Sequence, residues 1–452
     1  MSEPEHGGPE YFLETFPRDS FPQYRWDTPP ATLPETVWLS ETTHRDGQQG
    51  GLPLSAERSR RVYDLLCEVT GGSGAIRMAE FFPYRQSDRA GLEYAVERHA
   101  GGAPIEPTTW IRARREDVEL IARIGVRETG MLSSASDYHT FHKFSSGGRS
   151  RAAHMYLEAV ESTLEQGIRP RVHLEDTTRA APDFVKWLVD AVLETASQYP
   201  AELAPRFRVC DTLGIGLPFD DVALPRSVPR WIRLLRGLGL EAGQIEFHPH
   251  NDTGLVVANC LAAIREGCGV ISGCCLGTGE RTGNAPLEAI MVHLMGMGYY
   301  RDQPVDLKPL NALAEIYHGL GVGPSAKYPL FGRDAYVTRA GIHADGLNKF
   351  WWMYAPFNAP ELVGRELEVA ITKDSGQAGL LYVLKQRLGL ELRKDDPRVV
   401  AVNGWLLEQF ASGRESAVEW AELAPVVRRT FGEDLTAAPS AGSGSPVVDR
   451  FD

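Results

Sequence analysis

The sequence lacks the closely spaced cysteine pairs that mark structural zinc sites and redox motifs. Its 452 residues include six cysteines, and no two of them form a C-x-x-C pair, so we expect reduced, buried thiols. It also lacks any run of about 18 apolar residues, which argues against a membrane-spanning helix. The N-terminal stretch is acidic and has no apolar segment of the signal-peptide type, so we expect a cytoplasmic protein with no membrane partner.

The sequence also has fewer positively than negatively charged residues. The formal net charge is −13, whereas binding to nucleic acid requires clustered Lys and Arg that neutralise phosphates. We therefore expect no nucleic-acid partner, although local basic pockets for small anions are compatible with this balance. The chain is otherwise ordinary, with 43 % hydrophobic and 24 % charged residues, which excludes wholesale disorder.

Short apolar runs alternate with longer amphipathic segments through the first two thirds of the chain. The candidate strands are Val37–Glu41, Ile76–Phe82, Thr108–Ile111, Ile124–Leu132, Arg171–Leu174, Phe207–Cys210, Gln244–Phe247 and Val270–Leu276. The segments Ser55–Val69, Arg149–Gln166 and Pro182–Ser197 have helical spacing. Strands that alternate with helices predict parallel βαβ units, and eight such units favour a (β/α)₈ TIM barrel over an open doubly wound sheet.

The length exceeds that of one compact domain, so we divide the chain into five parts. We expect an N-terminal arm over residues 1–35, a catalytic barrel over 36–300, a post-barrel linker subdomain over 301–365, a mostly helical C-terminal subdomain over 366–435, and a mobile tail over 436–452. Helical periodicity in Ala378–Leu388 and Val399–Phe410 supports the helical subdomain. The tail is of low complexity, AAPSAGSGS.

The segment EFHPHNDTG places His248 and His250 two residues apart at the end of a predicted strand. Residues i and i+2 point to the same face of a strand, so both imidazoles can bind one metal ion. Asp46 follows the first predicted strand, and catalytic residues of a barrel lie at the carboxyl ends of its strands. Each piece alone has an ordinary explanation as polar loop residues. Together they favour a site for Mn²⁺, Co²⁺, Mg²⁺ or Zn²⁺.

Three motifs resemble the hallmark segments of the alkylmalate synthase family: ETTHRDGQQ, EFHPHNDTGLVVAN and LGTGERTGNAPLE. That family includes isopropylmalate, homocitrate and citramalate synthases and the Re-type citrate synthases, which condense acetyl-CoA with a 2-oxo acid on a metal-bearing barrel. The resemblance covers about Val37 to Leu388, with TRAGIHADGLNK resembling the post-barrel segment. GQQ in place of the usual GEQ, and His-Pro-His in place of His-Cys-His, look most like the Re-citrate synthase branch, which the phosphinomethylmalate synthases also resemble.

The resemblance implies roles for residues at matching positions. Asp46, His248 and His250 match the metal ligands. The expected catalytic residues are Arg45, His343, Glu175 and Tyr354, and His343 is expected to act in proton transfer from the partner subunit of a homodimer. The expected ligands of the 2-oxo acid are Arg45, Gln49, His139, Glu175, Thr177, Thr212 and Asn284.

The choice of 2-oxo acid depends on charge at the far end of the pocket. Oxaloacetate carries a second carboxylate and a phosphinyl or phosphonyl pyruvate carries a phosphorus oxyanion. Cations near strand ends that could bind either group are Arg77, Arg85, Arg112, His139 and Arg179. We therefore expect citrate or 2-phosphinomethylmalate as product. The alternatives are a homocitrate or isopropylmalate synthase, a metal-dependent acyl-CoA lyase, and a non-catalytic metal-binding scaffold.

Overall fold

Eight parallel strands close into a barrel in the computed structural model of the chain, which describes residues 9–144 and 147–432. The strands are β1 Trp38–Glu41, β2 Ile76–Phe81, β3 Glu106–Arg112, β4 Glu128–Ser134, β5 Arg169–Glu175, β6 Arg206–Asp211, β7 Ile245–Pro249 and β8 Val270–Gly273. Each strand pairs with the next, and β1 pairs with β8. The predicted (β/α)₈ barrel is therefore confirmed.

Helices connect the strands, as parallel pairing requires. They are α1 Ala56–Thr70, α2 Gln86–Ala100, α3 Arg115–Ile124, α4 Asp137–Lys143, α5 Gly148–Glu165, α6 Pro182–Ala196, α7 Val228–Gly237, α8 Val256–Arg265, α9 Leu287–Met297 and α10 Leu310–Gly319. Helix α1 begins where the sequence predicts, because the Ser55 hydroxyl accepts a hydrogen bond from the backbone N–H of Arg58. No helix among the described residues is long and apolar enough to cross a membrane.

The chain divides into two compact units. Residues 23–324 contain the barrel, and residues 9–22 join residues 325–432 in the second unit. The second unit contains β9 Val337–Thr338, α11 Gly341–Lys349, α12 Ala359–Leu362, β10 Glu368–Val369, α13 Gly376–Leu388, α14 Pro397–Ala411 and α15 Trp420–Phe431. Strands β9 and β10 pair in parallel, and the rest is mostly helical, as predicted. The predicted mobile tail over 436–452 lies outside the described residues.

Two strands differ from the predicted bounds for a visible physical reason. The run Ile124–Leu132 is divided: Ile124 is the last residue of α3, Gly125 ends that helix with φ +87°, and β4 begins at Glu128. The run that begins at Val270 leaves the strand after Gly273, and Leu276 has φ +61°, outside the extended region. In both places the apolar run continues past the end of the regular element.

Part of the barrel interior, near the beginning of its strands, is apolar. Trp38, Met78 and Val270 form a buried apolar cluster there. Above it, buried charged side chains meet across the barrel, and Arg208 on β6 lies 2.9 Å from Glu80 on β2. Because the interior of such a barrel is usually filled by branched apolar residues, this ion-pair layer is a departure that lies directly beneath the strand ends.

Candidate active site

Asp46, His248 and His250 converge at the carboxyl ends of β1 and β7. The Nε2 atom of His248 lies 3.1 Å from Oδ2 of Asp46, and Nε2 of His250 lies 3.8 Å from the same oxygen. Each side chain offers one ligand atom, and these atoms all lie within 4.8 Å of one another. The structure thus brings together the three predicted metal ligands, because only β8 separates β1 from β7 in the barrel.

Backbone hydrogen bonds within the turn that carries Asp46 stabilise its conformation. A single helical turn, Thr43–Gly47, follows β1, and the N–H groups of Arg45 and Asp46 donate to the carbonyl of Thr42 at 3.0 and 2.7 Å. The Glu41 carboxylate accepts from the N–H of Thr43 at 2.9 Å and from its hydroxyl. Burial raises the pKa of Glu41 to about 7. The turn therefore directs Asp46 into the barrel mouth. Within the described part of the chain, Glu41 pairs with no arginine or lysine, and its nearest basic group is the His44 imidazole at 3.9 Å, whose pKa burial lowers to about 4.

Arg45 joins the metal-ligand group to the interior of the barrel. Its Nη1 donates to Oδ2 of Asp46 and its Nε donates to Oε2 of Glu80, both at 2.8 Å. Burial opposes ionisation of Glu80, but Arg208, Arg45 and Arg171 lower its pKa to about 2. Glu80 is thus a fixed anion that orients the guanidinium of Arg45 beside Asp46.

Below Arg45, the charges of the ion-pair layer are paired. Arg208 lies 2.8 Å from Glu246 on β7, and Arg171 on β5 lies 3.2 Å from the same carboxylate. Glu128 on β4 accepts from Arg171. All of these side chains are buried at 1 % exposure or less. Burial opposes ionisation of Glu246 and Glu128, but the arginines lower the pKa of both.

The metal-ligand group, Asp46, His248 and His250, includes buried polar atoms that make no hydrogen bond to a described residue. Oδ1 of Asp46 and Nδ1 of His250 are buried and have no hydrogen-bond partner among the described residues. Burial lowers the pKa of His250 to about 4 and also lowers that of His248. Burial would raise the pKa of Asp46, yet Arg45 and the hydrogen bond with His248 bring it well below its usual value. An ionised carboxylate beside two neutral imidazoles is the form that binds a divalent cation.

A hydrogen bond orients the imidazole of His248 through the ring nitrogen that faces away from Asp46. Nδ1 of His248 lies 3.1 Å from the hydroxyl of Ser272 on β8. A metal-bound histidine ordinarily uses its second ring nitrogen in this way. The residues present therefore fit a divalent metal ion through one carboxylate and two imidazoles.

The loop after β8 closes over the histidines. Asn284 forms an isolated backbone bridge with His250, its side-chain N–H donates to the Thr278 carbonyl at 3.0 Å, and its Oδ1 is buried without a partner among the described residues. Gly283 has φ +90°, and a Cβ there would lie 1.9 Å from the carbonyl of Gly277. The loop can therefore fold back on itself and present Asn284 only with glycine at this position.

Arg281, which follows β8, contacts the segments that follow β6 and β7. Its Nε donates to Oδ1 of Asp252 at 2.7 Å, and its Nη2 donates to Oδ2 of Asp252 at 3.0 Å and to the Thr212 carbonyl at 2.6 Å. Asp252 follows β7 and Thr212 follows β6. Because Asp252 lies two residues beyond His250, the contact restrains the backbone on which that ligand sits.

A charged cluster lies at the ends of β4 and β5. Nδ1 of His139 is 2.9 Å from Oε2 of Glu175, and the Lys143 amine donates to the same oxygen at 2.6 Å. The Ser134 hydroxyl also donates to it. Burial opposes ionisation of Glu175, but His139 and Lys143 lower its pKa to about 2. The structure therefore joins two predicted ligands of the 2-oxo acid, His139 and Glu175, through direct contact.

Several predicted substrate ligands already have backbone partners. The Thr177 hydroxyl donates to the Leu174 carbonyl and accepts from the N–H of Cys210, and Thr177 is fully buried. The Thr212 hydroxyl accepts from the N–H of Asp176 at 2.8 Å. Gln49 is exposed just beyond the turn that carries Asp46. A substrate role for these three residues stays a prediction.

His343 and Tyr354 belong to the second unit. Their ring centroids lie 4.3 Å apart with an interplanar angle of 34°. Gly346 permits this contact, because a Cβ there would lie 2.3 Å from the ring of Tyr354. Both residues are partly exposed, so the pair presents an imidazole and a phenol at the surface of its unit.

Sequence reasoning missed Glu80, Lys143 and Ser272. The first lies within an apolar strand as AEFF and the third within VISG, where a lone polar residue gives no local signal. Lys143 lies four residues after His139 on α4, which places both on one face of that helix. That spacing could have identified the lysine.

Comparison with known proteins gives consistent results. A family model described as HMGL-like matches residues 36–316. The chain is 74 % identical over 428 residues to a 2-phosphinomethylmalate synthase from Streptomyces hygroscopicus, covering 94 % of this chain and 97 % of the relative. It is 37 % identical over 434 residues to a citrate (Re)-synthase from Clostridium kluyveri, covering 94 % of each.

Solved structures resemble the barrel. An HMG-CoA lyase from Acinetobacter baumannii, solved with coenzyme A and 3-methylmalate, superposes with a TM-score of 0.51. The match covers 65 % of this chain and 94 % of that structure, at 20 % sequence identity. This likeness concerns the fold alone.

Proposed function

Because the chain belongs to the HMGL-like family, within its branch of acetyl-CoA-dependent synthases, we propose that it condenses acetyl-CoA with a polar 2-oxo acid and hydrolyses the thioester. The acid that we favour is a phosphinyl pyruvate, which gives a 2-phosphinomethylmalate. The observation that carries this choice is the 74 % identity, over 94 % of the chain, to a 2-phosphinomethylmalate synthase. Oxaloacetate, giving citrate, is the second candidate, since a citrate (Re)-synthase is 37 % identical over a similar span.

We propose Asp46, His248 and His250 as the ligands of a divalent cation. Two imidazoles and one carboxylate suit Mn²⁺, Co²⁺ or Zn²⁺ better than Mg²⁺, which prefers oxygen ligands. Such a cation, when bound, supplies a Lewis acid that polarises the oxo group of the 2-oxo acid. The buried atoms without partners, Oδ1 of Asp46 and Oδ1 of Asn284, support this assignment.

Arg45 is proposed to bind the oxygen at the reacting carbon. Asp46 and Glu80 take two of the five N–H donors of its guanidinium. The other donors are available to the oxygen on which negative charge develops when the carbon–carbon bond forms. Because Glu80 and Asp46 hold the guanidinium on both sides, little reorganisation is needed during the reaction.

The far end of the acid carries a phosphorus oxyanion or a second carboxylate. His139 and Lys143 supply donors near β4 and β5, and Glu175 holds both in place. We propose that this cluster orients the polar end of the acid. In an apolar 2-oxo acid, no group would replace the lost contacts, so the cluster favours the charged substrates.

The nucleophile requires removal of a proton from the acetyl methyl group. We propose His343 as the base and Tyr354 as its neighbour in that step, in a homodimer where the post-barrel segment of one copy serves the barrel of the other. The contact between the two rings, whose centroids lie 4.3 Å apart, supports a joint role. Water then cleaves the thioester, so that one water is consumed and one CoA thiol and one acid are released per turnover.

Release of CoA thiol tests the reaction. The purified protein, with Mn²⁺ or Co²⁺ added, is mixed with acetyl-CoA and one 2-oxo acid from a panel of phosphinyl pyruvate, oxaloacetate, 2-oxoglutarate and 2-oxoisovalerate. We expect thiol release that depends on the acid, with the highest kcat/KM for phosphinyl pyruvate and no release after chelation of the metal. Absence of acid-dependent release, or cleavage of an acyl-CoA to acetyl-CoA instead, would overturn the proposal.

Complementation tests the homodimer. Asp46→Asn removes a metal ligand and His343→Ala removes the base, and each variant alone is expected to be inactive. Co-expression of the two would give mixed dimers with one intact site each, and so about a quarter of wild-type activity in a random mixture. Isolated mixed dimers with no activity would show that the two residues do not act across subunits.

A further inference from the structure

Asp176, directly after β5, has a left-handed backbone. Its φ and ψ are +63° and +38°, a conformation that a residue other than glycine adopts at an energetic cost, although aspartate tolerates it better than most. Successive side chains of a strand point to opposite faces, so a continued strand would turn Asp176 toward the surrounding helices and away from Glu175. The left-handed turn instead brings both carboxylates to one imidazole, that of His139.

His139 lies between these two consecutive carboxylates. Its Nδ1 atom is 2.9 Å from Oε2 of Glu175, and its Nε2 atom is 3.8 Å from Oδ2 of Asp176. The second distance is too long for a hydrogen bond, so this contact is electrostatic. The Asp176 side chain is fully buried, whereas the His139 side chain is 21 % exposed. The ring is therefore restrained on both sides while part of it still faces the barrel mouth.

The Asp176 residue is itself fixed by several groups. The Ser136 hydroxyl donates to its Oδ2, and Nε of Arg179 donates to both carboxylate oxygens at 3.0 Å. Its backbone N–H donates to the Thr212 hydroxyl at 2.8 Å. A buried carboxylate requires partners of this kind. Together they hold the oxygen that faces His139 in one place.

Ser136 does not use its hydroxyl to cap its own helix. It is the N-cap residue of α4, yet its side chain accepts no hydrogen bond from the first turn of that helix, as an N-cap serine ordinarily does. The hydroxyl donates to Asp176 instead, and His139 is the third residue of α4. A left-handed aspartate and an uncapped helix are thus two local costs that meet at one carboxylate. Such costs persist where the surrounding structure enforces them, and they concentrate at functional sites.

We propose that Asp176 is a positioning residue, which holds the imidazole of His139 in the orientation that binds the polar end of the 2-oxo acid. This inference rests on the proposed condensation, in which His139 contacts that end of the acid. Asp176 has no exposed surface, so it acts through the imidazole and not on the substrate. Without its charge the ring is held by Glu175 alone, and the incoming acid has to order it, which weakens binding.

Steady-state kinetics tests this role with Asp176→Asn. Asparagine keeps the shape of the side chain and also tolerates the left-handed backbone, but it lacks the charge that faces His139. For the best 2-oxo acid of the panel we expect KM to rise about tenfold and kcat to change less than about twofold. The KM for acetyl-CoA and the Kd for Mn²⁺ should stay constant. The matched control is Asp183→Asn, an exposed aspartate at the beginning of α6, which should change none of these values.

A double-mutant cycle tests whether Asp176 acts through His139. In a His139→Asn background, Asp176→Asn should raise KM by no more than about twofold, because the ring that it positions is gone. A full tenfold increase in that background would overturn the inference. Ser136→Ala removes a hydrogen bond to Asp176 but no cap of α4, and it should raise KM about threefold. That variant decides the question if Asp176→Asn does not fold, and an unchanged KM would then count against the role.

A crystal structure of Asp176→Asn tests the positioning without reference to turnover. We expect the His139 ring to rotate until its Nδ1 lies more than about 3.5 Å from Oε2 of Glu175, whereas the control should keep the contact at 2.9 Å. If the wild type releases no thiol with any 2-oxo acid, the condensation is wrong, and a displaced ring still supports the positioning role. If the wild type is active and Asp176→Asn keeps both the ring and the KM, the condensation stands and the positioning role is overturned.

Discussion

The barrel accommodates buried charge in two ways. The ion-pair layer, here the lower layer, contains Glu80, Glu128, Arg171, Arg208 and Glu246, and the metal-ligand group, here the upper layer, contains Asp46, His248 and His250. Glu246 on β7 lies in the lower layer, while His248 on β7 and His250 directly after it lie in the upper one. In the lower layer Glu80, Glu128 and Glu246 each lie within 3.5 Å of an arginine. In the upper layer, Oδ1 of Asp46 and Nδ1 of His250 have no hydrogen bond among the described residues. Both oxygens of Glu246 also lack one there, but they lie 2.8 Å from Arg208 and 3.2 Å from Arg171.

The difference indicates which layer provides its own counter-ions and which can bind an external cation. Buried charge is costly unless it is paired, and the lower layer supplies its own counter-ions. The upper layer leaves a carboxylate oxygen and imidazole nitrogens that an external cation can use. Arg45 belongs to both, since it donates to Glu80 below and to Asp46 above.

Loss of an upper-layer ligand should have the largest effect. Asp46→Asn replaces the carboxylate with an amide, a far weaker ligand, and we expect kcat/KM to fall at least about a thousandfold with loss of bound metal, since several kcal/mol of transition-state stabilisation disappear. Metal content by mass spectrometry and thiol release measure the two effects. Asp302→Asn, an exposed aspartate elsewhere on the barrel unit, is the control. A metallated and active Asp46→Asn protein would contradict the assignment.

Breaking the lower layer should reduce stability. Arg208→Met leaves Glu80 and Glu246 short of a counter-ion in a fully buried position, and we expect the free energy of unfolding to fall by about 3 kcal/mol. Urea denaturation measures it. A second substitution, Glu246→Leu, should recover part of the loss because it removes one of the unpaired charges. A single variant as stable as the wild type would show that the layer is not electrostatically coupled.

Glu41 extends the comparison, because it is a buried carboxyl that pairs with no arginine of residues 9–144 and 147–432. Its pKa is raised to about 7, so between pH 5 and pH 7 the unfolded chain has lost this proton and the folded protein still holds it. The free energy of unfolding should therefore fall across that window, by about 2 kcal/mol from this group. Glu41→Gln should lack this contribution. Denaturation profiles that stay parallel from pH 5 to pH 7.5 would refute the raised pKa.

The rim contact between Arg281 and Asp252 should have the smallest effect. Asp252→Asn weakens the restraint on the segment that carries His250, and we expect the Kd for Mn²⁺ to rise about tenfold, as for other residues that orient metal ligands. The exchange of charges in Asp252→Arg with Arg281→Asp should restore part of the affinity. If the single variant binds Mn²⁺ as the wild type does, the contact does not position the ligand.

The sequence predicts the barrel because apolar runs and helical segments alternate eight times. It misplaces the start of β4, since the apolar run Ile124–Leu132 includes the last residue of a helix and a strand alike, and hydrophobicity alone does not separate the two. The difference becomes visible only through the left-handed Gly125 between them.

Of the site, the sequence predicts the metal-ligand group through motifs at strand ends. It does not predict the lower layer, because Glu80 and Arg208 are 128 residues apart and pair only when the barrel closes. Thr177 shows a different limit: the family resemblance predicts a substrate ligand, which stays a prediction, but it does not predict the two backbone groups that contact the hydroxyl. Such contacts depend on the tertiary structure and leave no local pattern.

The most direct test of this account is anomalous X-ray diffraction from crystals grown with Mn²⁺. We predict one strong peak in the barrel, about 2.0–2.3 Å from ligand atoms of Asp46, His248 and His250, and none beside Glu80 or Glu246. No peak at those three residues, or a peak in the lower layer, would contradict the distinction between a self-paired layer and a metal-binding one.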